Sequence, residues 1–167
     1  MAIEITPASS KLQHIVTLLS EIAATQSTLK LGRHAAALIT QKGSILSLGF
    51  SHHTGLPAAA SPTIHAEAHC IQNFLKQSKS RVRIARREKI DLVVIRVTAA
   101  GTELLNSEPC SECVKMLREG SGSFIRRVYY TTRVVKADTS SPARLTCSQT
   151  SGERVQRVKR LLRKQCK

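Results

Sequence analysis

The sequence predicts an α/β fold, a mixed sheet with helices on its faces, and three observations carry that prediction. Segments with helical periodicity alternate with short apolar runs of strand length. One of those runs, residues 91–97, is apolar almost throughout, as a central strand covered on both faces must be. The chain has 167 residues, 41% of them hydrophobic, which matches one domain spanning 1–167 around one sizeable core.

The elements follow in order. After a loose lead-in over 1–8, Leu12, Ile15, Val16, Leu19, Ile22 and Ala23 recur at the helical period, with Ser9 or Ser10 as N-cap. Residues 34–40 and 45–50 read as two strands joined through Lys42-Gly43 in an antiparallel hairpin. Gly55, Pro57 and Pro62 make 51–64 a loop. A second helix begins near 63–65, with Ala66, Cys70, Ile71, Phe74 and Leu75 on its buried side. Beyond the polar, basic stretch 76–89 comes the strand 91–97; Gly101 marks a turn and Leu104-Leu105 a short extended piece. A third helix runs from about Cys110 to Arg118 and stops before Gly120, and 125–131 forms another strand. Residues 132–150, rich in Ser, Thr and Ala, give no clear pattern. Val155, Val158, Leu161 and Leu162 then lie along one stripe of a basic helix over about 152–166, so the domain core covers about 9–135.

Composition narrows the partners. Only 3% of residues are aromatic and none is Trp, so Leu, Ile, Val and Ala must build the core. A net charge of +15 implies attraction to polyanions or anionic substrates, nucleic acid first among them. The start, Met1-Ala2-Ile3-Glu4, lacks the basic and apolar regions of a secretory signal. No apolar run approaches the ~20 residues that span a bilayer. The expected location is therefore intracellular, cytoplasmic or nuclear, with no membrane partner. In a reducing compartment the five cysteines, at 70, 110, 113, 147 and 166, are thiols, and a Cys-x-x-Cys pair is metal-binding or redox-active rather than a staple.

Two short segments carry chemistry: His65-Ala66-Glu67 and Pro109-Cys110-Ser111-Glu112-Cys113. Cysteines at i and i+3 in the first turn of a helix lie side by side and reach one ion. His65, at the start of another helix, supplies a third ligand, and a zinc ion held by three protein groups keeps its fourth position for water. Both helix N-termini then face the metal and favour thiolate over thiol. Glu67 need not touch the ion; it is placed to accept a proton from water at that position. A closed zinc knuckle with His69, Cys70 or Cys147 as fourth ligand, a redox dithiol, and plain buried cysteines are the competing readings. A dithiol leaves His65 and Glu67 without a task, and Cys70 lies more than a turn from His65.

His-x-Glu followed by Pro-Cys-x-x-Cys is the signature of the zinc nucleobase deaminases. From Gly49 to about Thr131 the chain resembles the cytidine and deoxycytidylate deaminase superfamily, near the deoxycytidylate and tRNA adenosine deaminases. The matching stretches are 64–68, 93–97, 106–113 and 127–130. The resemblance implies a three-layer α/β/α fold around a five-stranded mixed sheet. It also implies zinc as cofactor, Glu67 as the group that returns protons to a ring nitrogen and to the leaving amine, and the Ala66 backbone amide on the base. Superfamily members commonly associate, which makes a homo-oligomer an expectation. One departure bears on the sugar: where members often carry Asn, this chain has Ser51, followed by His52 and His53, so Ser51, His52 and His53 are the candidate substrate contacts.

The chemistry accommodates cytosine at C4 or adenine at C6. No residue in the motif decides between them; the resemblance of the 107–113 segment, and its continuation into Tyr129-Tyr130, implies cytosine. Two basic runs hold more than half of the 26 Lys and Arg residues. Lys79, Arg81, Arg83, Arg86 and Arg87 belong to one, and Arg157, Arg160, Arg163 and Lys164 to the other. Such concentration fits a phosphate backbone, RNA or DNA, better than a single phosphate. Against it stands the scarcity of aromatic stacking platforms. The expected activity is thus cytosine to uracil in RNA or DNA. The alternatives are a deaminase of free cytidine or deoxycytidylate, a tRNA adenosine deaminase, and a catalytically silent nucleic-acid-binding module.

Overall fold

The computed structural model describes residues 2–5, 10–30, 32–55, 63–77, 89–132, 135–136 and 145–149. Helix α1 is Ser10–Gln26, followed by strands β2, Arg33–Thr40, and β3, Ile45–Phe50. Strand β6, Ile90–Val97, and strand β8, Ile125–Thr131, lie in the middle of the main sheet. Two strands flank them, β1, Ala2–Ile5, and β10, Leu145–Gln149, giving the order β1-β10-β8-β6-β2-β3. β6 and β8 run parallel, and the other neighbours in that order are antiparallel, so the sheet is mixed. The strands β3, β2, β6, β8 and β10 form the expected five-stranded core. The short strands β7, Glu103–Leu105, and β9, Val135–Lys136, pair with each other, β7 also lying along β6, and β1 adds a further edge.

Two apolar layers sandwich this sheet. On one face α1 sets down Ile15, Val16, Leu19 and Ala23 at helical spacing against Ala35, Ala37, Val93, Ile95 and Val97. On the other lie α2, Ala66–Lys76, and α3, Ser111–Glu119; Ala66, Cys70, Ile71, Phe74 and Leu117 pack on Ala36, Leu38, Leu92, Val94 and Val128. Alternate residues of β2 and β6 thus serve opposite layers, which is why 91–97 reads as continuously apolar. The α/β class and the helices on both faces agree with the sequence expectation. The hairpin through Lys42-Gly43 also agrees, with Ala35 opposite Phe50 and Ile39 opposite Ile45.

Four local expectations are corrected. The lead-in contains strand β1, which pairs with β10 from Ala2–Ser148 to Ile5–Leu145. The 51–64 segment contains strands β4, His52–His53, and β5, Thr63–Ile64, paired antiparallel. The unpatterned 132–150 stretch supplies β9 and β10. Leu75 is 42% exposed, because Cys70, Ile71 and Phe74 define the buried stripe of α2 and Leu75 falls a further 100° around the helix. The basic C-terminal helix and the cations Lys79, Arg81, Arg83, Arg86, Arg87, Arg157, Arg160, Arg163 and Lys164 lie outside the described residues. Among the described residues no helix is long and apolar enough to cross a membrane.

Candidate metal centre and active site

Helix α2 rests on β3 at a position that tolerates no side chain. A Cβ at Gly49 would lie 2.3 Å from the Cys70 amide nitrogen and 2.6 Å from the Ala66 carbonyl oxygen. Further along, the Ser47 hydroxyl donates to the Cys70 carbonyl at 2.9 Å and the Asn73 amide to the Leu48 carbonyl at 3.0 Å. These contacts fix where α2 begins. His65 is its N-cap, with extended backbone, and Cys110 occupies the same place on α3. The approach to Cys110 is latched by buried Ser107, whose hydroxyl donates to the Val94 carbonyl at 2.8 Å and lies 2.8 Å from Thr131 Oγ1.

The two helix starts meet. His65 Nδ1 lies 3.3 Å from Cys113 Sγ and 3.5 Å from Cys110 Sγ, and the three donor atoms fall within 4.8 Å of one another. In a tetrahedral site with Zn–S of about 2.3 Å and Zn–N of about 2.0 Å, donor atoms stand roughly 3.5–3.8 Å apart. The donor set and its spacing therefore fit zinc. Among the described residues no fourth protein donor joins them. Cys70 is fully buried, its thiol donating to the Ser47 carbonyl, and burial pushes that thiol up to about 12. His69 turns its Nδ1 to the Phe50 backbone instead. The closed-knuckle arrangement through His69 or Cys70 is not formed.

Glu67 sits in the first turn of α2, 4% exposed, and the Cys113 thiol donates to its carboxylate. Burial raises the Glu67 carboxyl above the usual carboxylate range, opposed by its own backbone amide, the His65 charge and that Cys113 bond. Cys113 is likewise pushed up, first by burial, then by the charges of Glu67 and Cys110. The charges of Glu67 and Cys110 oppose the ionisation of Cys113, and a divalent cation reverses that balance. The arrangement is an ion cradle with a buried carboxyl group beside it.

The candidate substrate contacts are placed as follows. Ala66 is fully buried at the first position of α2. Ser51 is buried, and its hydroxyl lies 3.0 Å from Ser27 Oγ while accepting from the His34 amide at 3.1 Å. His52 is half-buried, its ring 4.5 Å from that of His69 and 5.5 Å from that of Phe50, with Nδ1 3.1 Å from the Phe50 carbonyl. His53 is exposed, its backbone amide donating to Thr28 Oγ1. Ser107, and the pair His34 and Arg96 opposite each other in β2 and β6, were not singled out in the sequence. Ser107 lay within a recognisable stretch, whereas His34 and Arg96 meet only through strand register.

A family model described as "cytidine and deoxycytidylate deaminase zinc-binding region" matches residues 9–132. Among solved structures, the chain is similar to cytidine deaminase from Mycobacterium tuberculosis, at 16% identity and TM-score 0.46, covering 74% of this chain and 89% of that one. It is also similar to cytidine deaminase from Mycobacterium leprae, at 15% identity and TM-score 0.42, covering 75% and 89%. No curated protein matches the chain.

Proposed function

The chain belongs to the cytidine and deoxycytidylate deaminase family, and from that premise we propose that it converts cytosine to uracil in RNA or DNA. The observation that carries the proposal is the convergence of His65 Nδ1 with the Cys110 and Cys113 sulfurs beside the buried Glu67 carboxylate. In this reading His65, Cys110 and Cys113 hold the zinc. Bound zinc supplies Lewis-acid activation of water near neutral pH. Glu67 takes one proton from the attacking water and passes it to the ring nitrogen next to C4. It then carries the second to the departing amine, so that cytosine and water become uracil and ammonia. Its burial in the first turn of α2 holds the carboxylate in one place. The Ala66 amide, at the start of α2, faces the base. Ser51 has its hydroxyl committed to Ser27 and the His34 backbone, so a sugar contact falls to His52 or His53 rather than to Ser51.

The nucleic-acid part rests on charge. A net +15, concentrated around 76–89 and 153–167, far exceeds what one phosphate requires. The scarcity of aromatic residues, 3% of the chain, favours the second reading, a deaminase of free cytidine or deoxycytidylate. Zinc-loaded protein incubated with cytidine, deoxycytidylate and single-stranded oligonucleotides separates the two by ammonia release. Turnover of the mononucleotide alone, indifferent to salt, removes the strand reading. Oligonucleotide binding without ammonia from any substrate leaves a silent binding module. The Glu67→Ala variant is expected to keep about one zinc per chain and lose ammonia release by a factor of about 100 to 10,000. A variant that deaminates as fast as its parent would falsify the assigned role.

A further inference from the structure

The sheet face beneath α2 holds a cation that neither the zinc cradle nor the fold employs. Arg96, near the C-terminal end of β6, stands directly opposite His34 of β2 in the antiparallel register. Opposed residues of such a pair share a face. Ala36 and Leu38, alternating on from His34, and Val94, two before Arg96, pack beneath α2, so this face is the one that carries the site. The position along the strand also follows. The first turn of α2 lies over Gly49, and Gly49 pairs with Ala36. His34 is two residues, about 7 Å, further toward the end of α2 where His65 sits. The two imidazoles are near enough that the charge of His65 acts on His34.

The guanidinium lies over Gly32, where the backbone is left-handed at φ +69°. A Cβ there would come within 2.4 Å of Arg96 Nε and Nη2. Gly32 thus leaves room for a cation that any other residue would displace. Arg96 Nε is buried and has no hydrogen-bond partner, and among the described residues no carboxylate pairs with Arg96. The Asp91–Arg126 pair shows the contrast, with Nε and Nη2 of that guanidinium on one carboxylate at 3.1 and 2.8 Å. A buried donor left unpaired costs stability in the free protein, and the planar guanidinium fork matches two oxygens of a phosphate. Burial and the Arg96 charge hold the His34 pKa at about 4, so its ring stays neutral beside the cation and adds hydrogen bonding without charge.

We propose that Arg96, with His34 beside it, anchors a phosphate of the substrate at the rim of the zinc site. The inference rests on the nucleobase-deaminase reading of that site, because phosphate is the anion its substrates carry. A 5′-phosphate of a free nucleotide and a backbone phosphate next to a target base share this chemistry.

Titration calorimetry on zinc-loaded protein tests it with three probes: cytidine, its 5′-monophosphate, and a short single-stranded oligonucleotide containing one cytosine. The parent is expected to bind at least one phosphate-bearing probe about tenfold or more tightly than cytidine. In Arg96→Met that increment should collapse to less than about threefold while cytidine affinity stays put, and Arg96→Lys should retain part of it. An increment with the monophosphate identifies a free nucleotide, and one confined to the oligonucleotide identifies a strand. No increment in the parent, an increment that survives Arg96→Met, or equal losses for cytidine and phosphate probes each overturns the proposal. Should Arg96→Met fail to fold, inorganic phosphate is titrated against the parent with the preferred probe present. Competition supports the anchor and its absence refutes it. Ammonia release is measured in parallel, so an anchor that binds without deamination marks failure of the deaminase reading rather than of the anchor.

Discussion

At the residue scale, the site sets buried charges against one another, and His34 is where this shows without the metal ligands themselves. Its usual pKa near 6.5 falls to about 4, first through burial, then through the charge of Arg96, with a smaller contribution from His65 and a bond to the Gly32 backbone pulling the other way. The sign follows from proton counting. Above pH 6.5 His34 is neutral folded and unfolded, and contributes nothing to pH dependence. Between about 6.5 and 4 the unfolded chain takes up a proton that the folded chain refuses, so stability falls on acidification, by at most about 1.4 kcal/mol per pH unit. Zinc-saturated parent and His34→Gln are therefore expected to differ in slope. Urea midpoints measured from pH 7 to 4.5 should fall more steeply for the parent, since zinc release is common to both. Parallel profiles would show that His34 is not held neutral by its surroundings.

At the scale of elements, the decisive contact is backbone on backbone, where α2 crosses β3 at Gly49. A methyl group there would stand 2.3 Å from the Cys70 nitrogen, a separation only a shift of α2 can relieve. Because His65 caps that helix and Glu67 lies in its first turn, the shift moves both relative to Cys110 and Cys113. Overpacking of this kind costs about 1–3 kcal/mol, or about 3–10 °C in Tm for a chain of this length. Gly49→Ala is expected to lose that much in thermal denaturation and to bind less than one zinc per chain by metal analysis. Full occupancy with unchanged Tm sinks the packing account. The sequence made α1, the β2–β3 hairpin, β6, α3 and β8 legible because each announces itself by local periodicity and burial on its own face. It hid β1 and β10, whose mutual pairing joins residues more than a hundred positions apart, as in Ile3 with Cys147, and the two-residue β9, which pairs with β7. The site divides the same way. His65, Glu67, Cys110 and Cys113 were legible because their spacing is itself the chemistry. Ser107 as a latch and Arg96 opposite His34 were not, since register between distant strands decides who meets whom.

For the whole molecule the dominant quantity is charge: 26 Lys and Arg against 11 Asp and Glu. Among the described residues a carboxylate is bonded to Arg126, while Arg96 stands unpaired in the core face that carries the site. Charge of this size acts over a Debye length, about 10 Å at 0.1 M salt, so it concentrates a polyanion around the whole domain and does little for an uncharged nucleoside. Salt therefore separates the two substrate classes without any mutation. If the substrate is a strand held through six or more phosphates, counterion release makes its affinity fall by about 1,000-fold between 50 and 200 mM salt. Binding through a single phosphate falls by only a few-fold, and cytidine should be indifferent. The expected outcome is a KM for a cytosine-bearing oligonucleotide that climbs steeply across this range while kcat holds, because salt loosens the grip on the backbone and leaves Glu67 and the zinc ligands untouched. A flat KM for the oligonucleotide, measured by ammonia release under saturating zinc, would mean that the positive charge serves something other than the substrate strand.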